Sequence, residues 1–345
     1  MQLRKKEAAV VRKAIAQWRQ AGVVDEPVAQ RLEASIEIAR MDWEKLAKYA
    51  FWVAIICVVI SVASVFTDNY LMAYLTQFFV DMHWGPFLAL ALVAAAIYGG
   101  GLRRRARYPQ RVFSNEAILF FAVLATAGAV YELGVAINPD GTDFAPLLLV
   151  SCGIYALIGF WFRSNLVWLF ALFSLGGWLG AETGYESGWG SYYLGMNFPV
   201  RFALFGAVFT GVALLLERAR WFAALQRTTL VMGLLYLFIS LWIMSIFGNY
   251  GDMDVWESVS NTALLGWCVL FGAVACAAIY YGLRMDDAVT KGFGLTFLLL
   301  NLYTRYFEYF WNMSHKAIFF GVLALSFWGL GRWSENIWNV GRKVS

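Results

Sequence analysis

Ten long apolar stretches, separated by short polar connections, constrain this chain of 345 residues more than any other feature. Each stretch holds about 18 residues or more, and a helix of that length can span the ~30 Å hydrocarbon core of a membrane because it rises ~1.5 Å per residue. The fifth stretch is short enough to be tilted or broken. The sequence therefore predicts an all-α polytopic integral membrane protein, with stretches at about 46–66, 84–102, 114–137, 144–162, 165–183, 198–216, 228–248, 259–283, 292–312 and 316–333.

The charged residues of the connections fall into two groups. The connections that follow odd-numbered stretches contain no Lys or Arg, and nine carboxylates lie in them or at their edges: Asp68, Asp81, Asp140, Asp143, Glu182, Glu186, Asp252, Asp254 and Glu257. Basic residues lie in the N-terminal tail, in or beside the other connections and in the C-terminal tail. Those that follow the N-terminal tail are Arg103, Arg104, Arg105, Arg107, Arg111, Arg163, Arg218, Arg220, Arg227, Arg284, Lys291, Arg332, Arg342 and Lys343. Because short loops rich in Lys and Arg stay in the cytoplasm, we expect both termini to be cytoplasmic.

Composition excludes several other classes of protein. Hydrophobic residues make up 61% of the chain and charged residues 14%, whereas soluble domains have about 45–50% and 25%. The basic residues are spread over separate connections, so we expect no folded surface for nucleic acid. Four cysteines lie within apolar stretches and form no Cys-x-x-Cys motif, so we expect neither a metal nor a redox cofactor at Cys57, Cys152, Cys268 and Cys276.

The first 45 residues are the predicted soluble part of the chain. Apolar residues recur at helical spacing on both sides of Gly22, and Asp25 followed by Pro27 is a typical start of a second helix. The apolar faces of this pair either bury each other, lie on the lipid surface, or dock a cytoplasmic or membrane protein partner through residues 7–42. We expect three regions: a cytoplasmic amphipathic helical hairpin over 1–45, a ten-helix transmembrane domain over 46–333 and a cytoplasmic tail over 334–345.

The N-terminal pattern resembles that of a known family. Its residues are Trp18-x-x-x-Gly22-Val23-Val24, then Ala29 and Leu32, followed by a long helix that runs into the first span. Over roughly residues 10–150 the chain is similar to the bacterial predicted membrane proteins grouped as domain of unknown function 2157. The resemblance implies a protein of the bacterial inner membrane. It implies no activity and carries over no site residues, because the family has none assigned.

The ninth stretch contains the strongest candidate for a binding site. Five polar residues recur there at steps of four, three, four and three, which places them on one face of a helix: Asn301, Arg305, Glu308, Asn312 and His315. A buried charge costs several kcal/mol unless it is paired, so Arg305 and Glu308 are expected to point into protein or water. This face either lines a solute pocket open to the periplasm or forms an ion pair that only locks helices together.

Three further residues near the outer ends of other stretches complete the predicted substrate-binding set: Glu132, Glu182 and Arg201. Each alone is typical of a membrane interface, but together with the ninth stretch they form a collection of mixed charge in the outer half of the membrane. We expect no counterpart in the inner half. Gly99-Gly100-Gly101 is interpreted as a helix stop rather than a phosphate-binding loop, and no spacing predicts catalytic residues.

The sequence thus favours an inner-membrane protein that binds or translocates a small polar or amphipathic solute, or a lipid, through a pocket facing the periplasm. Two alternatives remain open. One is a non-transporting scaffold or sensor subunit of an envelope complex. The other is a membrane enzyme that modifies lipid head groups, in which Arg305 binds phosphate and Glu308 or His315 transfers a proton.

Overall fold

The computed structural model describes residues 2–3, 11, 14–19, 24–35, 37–38, 53, 57, 60, 84–137, 143–219, 221–311 and 315–339. These residues are overwhelmingly helical, which confirms the all-α prediction. A small exception is the two-residue parallel pairing of Gln2–Leu3 (β1) with Glu37–Ile38 (β2).

Eleven helices have bounds within the described residues. A short 3-10 turn, Leu216–Arg218, follows the sixth. The helices are α1 (Glu26–Ala34), α2 (Gly85–Arg107), α3 (Val112–Ile137), α4 (Ala145–Phe162), α5 (Asn165–Glu186), α6 (Phe198–Leu215), α7 (Ala223–Phe247), α8 (Met253–Glu257), α9 (Asn261–Arg284), α10 (Ala288–Phe310) and α11 (Lys316–Asn339).

Seven helices of the described chain, α2 to α7 and α9, are long and apolar enough to cross a membrane. They coincide with seven predicted stretches and indicate a multi-pass membrane protein. The ninth stretch is α10, which carries Lys291, Arg305 and Glu308, and the tenth is α11, whose apolar part is the shorter segment Lys316–Gly329. The first stretch lies outside the described residues except for Val53, Cys57 and Ile60, so the count of ten stays a prediction.

The structure decides two local questions. Helix α5 is unbroken, and the Ser164 side chain caps its first turn by accepting a hydrogen bond from the Val167 amide at 3.3 Å. The predicted helix stop at Gly99-Gly100-Gly101 is wrong, because α2 continues to Arg107. A Cβ added at Gly101 would lie 3.4 Å from the side chain of Ile118 in α3, so this glycine allows close packing and does not end the helix.

The chain divides into two compact units, Met1–His83 with Arg104–Ala117, and Trp84–Arg103 with Ile118–Ser345. In the first unit, residues 14–19 are helical, and Ile15 packs with Ala29 of α1, each only 2% exposed. Trp18 and Leu32 remain 49% and 39% exposed. The predicted hairpin and the predicted domain boundaries are not decided by these contacts and stay predictions.

The second unit contains two apolar cores. The first core is formed by α2 to α5, with Ala94, Leu119, Ala122, Val123, Tyr155, Val167 and Ala171 buried. The second is formed by α6, α7 and α9, with Phe293 and Phe297 of α10 packed against Phe238 and Phe271. Trp168 of α5 connects the two helix groups by donating a hydrogen bond to Thr229 of α7 at 2.8 Å.

Three helix pairs, α4 with α5, α6 with α7 and α9 with α10, make the most extensive contacts in this unit. Each pair is joined by a short connection, at 163–164, 216–222 or 285–287. We call the end of the unit that holds these connections the basic end, because Arg163, Arg218 and Arg284 lie there. The opposite end, which holds 187–197 and 248–260, is called the acidic end.

Candidate functional site

The polar face of α10 begins at Asn301, which is 5% exposed. Its side-chain amide donates to the carbonyl oxygen of Cys268 in α9 at 3.1 Å, and its Oδ1 accepts from the Cys268 thiol at 3.3 Å. One turn further, Thr304 accepts a hydrogen bond from the indole of Trp242 in α7 at 3.0 Å. This face of α10 therefore points into the helix bundle, as the sequence predicts, and Asn301 bonds to a neighbouring helix.

The Arg305 side chain connects α10 to the end of α7. Its Nη2 donates to the carbonyl oxygen of Ser245 at 2.8 Å, and Nη1 forms an ion pair with Glu308. The Arg305 and Glu308 side chains are 12% and 22% exposed, and Arg305 Nε is buried without a hydrogen-bond partner among the described residues. These contacts are those expected of the helix-locking alternative, and whether the pair also contacts a solute stays a prediction.

The ion pair gives a test of that alternative. Arg305→Leu leaves the Glu308 carboxylate without its partner, whereas Arg305→Leu combined with Glu308→Leu removes both charges. Breaking a buried pair costs ~3–5 kcal/mol, and replacing both partners is often neutral. Because Glu308 is partly exposed, we expect the single variant to lose about 2 kcal/mol and the double variant clearly less. Thermal unfolding in detergent measures the difference, and a double variant that unfolds as early as the single one contradicts the expectation.

Arg201 is buried at the acidic end, where it is 4% exposed. It opens α6 and donates three hydrogen bonds: Nη1 to Thr183 of α5 at 2.9 Å, Nε to the Met196 carbonyl at 3.0 Å and Nη2 to the Ser191 carbonyl at 3.3 Å. Its guanidinium also lies 4.1 Å from the centre of the Phe198 ring. Arg201 therefore holds the 187–197 connection against α5 and α6.

The two connections at the acidic end are bonded to each other. The Asn197 side chain donates to the Gly248 carbonyl at 2.9 Å, and the Asn197 backbone N–H donates to the side-chain oxygen of Asn249 at 2.9 Å. The Tyr192 hydroxyl donates to the Asn249 carbonyl at 3.1 Å and accepts from the Gly251 amide at 2.7 Å. These bonds tie the end of α7 to the start of α6.

The remaining predicted site residues are not brought together with the ion pair by any described contact. The side chains of Glu132 and Glu182 are half-buried and form neither an ion pair nor a hydrogen bond with the residues that the structure describes. His315 is exposed at the start of α11, where its carbonyl accepts from the Phe319 amide at 3.0 Å. Asn312 lies outside the described residues.

A polar cleft of about 250 Å³ opens instead at the basic end. It lies between the connections that join α6 to α7 and α9 to α10. Its walls carry three carboxylates and one guanidinium, and the lining residues are Leu214, Glu217, Gln226, Arg227, Leu230, Tyr281, Met285, Asp286, Asp287 and Val289. This cleft therefore combines carboxylates with a guanidinium at the end of the unit opposite to Arg201, where the sequence analysis does not expect a site.

The carboxylates of the cleft differ in how they are bonded. Asp287 caps α10 by accepting from the Val289 amide at 3.0 Å and from the Thr290 amide at 3.3 Å. Asp286 has a left-handed backbone, with φ of 53°, and its side chain is exposed. Glu217 is also exposed, so Glu217 and Asp286 present charge to the cleft while Asp287 mainly stabilises the helix.

An apolar groove of about 630 Å³ runs between α7 and α10 beside the cleft. Arg227 and Val289 line both spaces, so the polar cleft and the groove adjoin each other. The groove is lined by Arg227, Val231, Ala288, Val289, Gly292, Phe293, Thr296 and Phe297. A further cavity, of about 320 Å³, lies between α10 and α11 and has no charged residue in its lining.

The sequence analysis missed Glu217, Asp286 and Asp287. Their signal is present but weak: two adjacent aspartates precede α10 in a connection that is otherwise expected to be basic. Across the described part of the chain, no three His, Cys, Asp or Glu side chains lie close enough together to hold a metal ion. Comparisons with protein-family models, with curated proteins and with solved structures find no match for this chain.

Proposed function

We propose that this protein binds an amphipathic, lipid-like molecule at the basic end, with the polar part in the cleft and the apolar part in the groove. The observation that carries the proposal is that Arg227 and Val289 line both spaces. A membrane lipid is polar at one end and apolar at the other, so adjoining polar and apolar spaces on a membrane-spanning unit match its two parts. The groove volume of about 630 Å³ falls within the ~300–1,000 Å³ of small-molecule sites.

We further propose that the chain lies in a bacterial inner membrane with both termini in the cytoplasm. The distribution of Lys and Arg supports this orientation. The basic end then faces the cytoplasm, and the groove opens to the inner leaflet. We also propose that the chain belongs to the family of domain of unknown function 2157, which would imply the same location. A pocket open to the periplasm beside Arg305 stays a prediction.

The orientation is tested by labelling introduced cysteines in intact bacterial cells with a membrane-impermeant thiol reagent. In a variant whose native cysteines are alanine, we expect Asp254→Cys to react, because Asp254 is exposed at the acidic end. Ala106→Cys, which is also exposed, should react only after the cells are opened. Labelling of position 106 in intact cells, with position 254 protected, reverses the proposed orientation.

The binding proposal is tested by blocking the groove. Val231 is half-buried in the groove wall, so we expect Val231→Trp to fill the groove and to reduce the phospholipid that co-purifies in mild detergent by at least one molecule per protein. Val208→Trp is the matched control, because Val208 is 62% exposed on α6 and lines neither space. Mass spectrometry of the bound lipid measures both. Equal lipid content in the two variants argues against binding in the groove.

A scaffold or sensor subunit is the second candidate function. It is supported by the bonding of Asn301 and Arg305 to neighbouring helices, which leaves the polar face of α10 engaged within the bundle. The exposed Trp18 and Leu32 would provide part of a surface for a protein partner within residues 7–42. We propose membrane lipids as partners in either case and no nucleic acid. An enzyme acting on lipid head groups has less support, because no described contact joins His315 to Arg305.

A further inference from the structure

The charges that line the polar cleft are not those of a simple anion site. One guanidinium, that of Arg227, stands against the carboxylates of Glu217, Asp286 and Asp287, so the lining has a formal excess of two negative charges. An anionic head group would be attracted by Arg227 and repelled by the carboxylates. The excess of negative charge instead favours a cationic group in the cleft.

The order of the charges along the site is informative. Carboxylates line the cleft, Arg227 stands where the cleft meets the groove, and aromatic and aliphatic side chains line the groove. In a phospholipid with an amine-bearing head group, the ammonium comes first, the phosphate follows it, and the acyl chains come last. The order of the charged and apolar side chains along the site therefore matches the order of the groups in the lipid.

Resting on the function proposed above, we infer that the occupant is a zwitterionic phospholipid whose head group carries a primary ammonium, as in the ethanolamine class. Arg227 binds the phosphate, because a guanidinium donates two parallel hydrogen bonds to phosphate oxygens. Glu217 and Asp286 accept hydrogen bonds from the ammonium. Asp287 adds negative charge while its oxygens remain bonded to the start of α10.

Binding of two phospholipids to the purified full-length protein in detergent tests the inference, with native mass spectrometry as the readout. The probes are phosphatidylethanolamine and phosphatidylglycerol with identical acyl chains. We expect the wild-type protein to bind the ethanolamine lipid about ten-fold more tightly, because its ammonium interacts with two carboxylates at the surface. Equal affinity for the two lipids, or a preference for the glycerol lipid, overturns the inference.

Charge-neutral variants test the roles of the residues. Glu217→Gln with Asp286→Asn should reduce the preference for the ethanolamine lipid to less than about three-fold, since it removes both exposed carboxylates. Asparagine tolerates the left-handed backbone at position 286. Arg227→Gln should weaken both lipids, whereas Arg284→Gln, at the same end but outside the lining, should change neither. An unchanged preference in the double carboxylate variant contradicts the assignment.

The groove variant separates this inference from the proposed function. If Val231→Trp removes binding of both lipids while the wild type binds them equally, amphiphile binding in the groove stands and the head-group assignment fails. If Val231→Trp affects neither lipid, both proposals fail.

Discussion

Gly206→Ala is expected to be among the most damaging single substitutions in the membrane-spanning unit. At this position α6 crosses α7 so closely that an added Cβ would lie 2.7 Å from the Leu237 Cα and 2.8 Å from the Gly233 carbonyl oxygen. Both are backbone atoms, so no side chain can rotate away, and the helices must move apart. Small residues allow this kind of close helix contact in membranes. We expect a loss of about 3 kcal/mol, the upper end of the usual cost of overpacking.

The matched control for Gly206 is on the same helix. A Cβ added at Gly211 meets nothing within 4 Å, so Gly211→Ala should be neutral or stabilise the helix, since alanine in a helix interior is favoured over glycine by ~0.5–1 kcal/mol. In thermal unfolding in detergent, Gly206→Ala should lower the midpoint by roughly 5–10 °C relative to this control. Similar midpoints for the two variants would mean that α6 and α7 do not cross at Gly206.

Arg201→Met is expected to have the second large effect. The substitution removes three hydrogen bonds that a buried guanidinium makes to Thr183, Ser191 and Met196. Hydrogen bonds from a charged donor contribute ~1.5–3 kcal/mol each, and their loss also leaves buried acceptors unpaired. Because the two carbonyl acceptors lie in a connection that water can reach, we expect a total loss of about 3 kcal/mol rather than the sum of three bonds.

Two variants accompany Arg201→Met. Arg201→Lys keeps the charge but replaces the planar fork by a single ammonium, which cannot reach all three acceptors together, so it should recover only part of the stability. Arg284→Met is the control, because Arg284 is exposed at the last turn of α9 and its interaction with the helix dipole is worth ~0.3–1 kcal/mol. If Arg201→Met unfolds at the same temperature as Arg284→Met, Arg201 does not hold the connection in place.

The sequence predicted which residues form the polar face of α10, but it did not predict which groups they bond to. The steps of four and three residues correctly place Asn301 and Arg305 on one inward face, because helical geometry alone determines that face. Their partners are the Cys268 and Ser245 carbonyls. Every residue has a carbonyl, so a backbone partner leaves no mark in the sequence. Arg201 illustrates the same limit, since two of its three acceptors are carbonyls.

The cleft at the basic end could not be found by the same reasoning. Glu217 lies in the connection between α6 and α7, and Arg227 lies near the start of α7. Asp286 lies in a different connection, between α9 and α10. A charge pattern read along the chain assigns each of them to an end of the membrane but not to a position around the bundle. Their proximity depends on α6, α7, α9 and α10 packing as one group around Phe238 and Phe271.

The sequence by itself determined that the described chain is all-α, where its seven helices long and apolar enough to cross a membrane lie, and which connections share an end. Apolar length and the sign of loop charges act on each segment separately, so these properties need no knowledge of its neighbours. The tertiary structure alone decided which helices touch, that Arg201 is buried, and that the polar cleft adjoins an apolar groove. Those features depend on the rotation of each helix about its axis and on close contacts such as that of Gly206 with α7. Hydrophobicity does not determine either of them, because lipid is as apolar as the surface of a neighbouring helix.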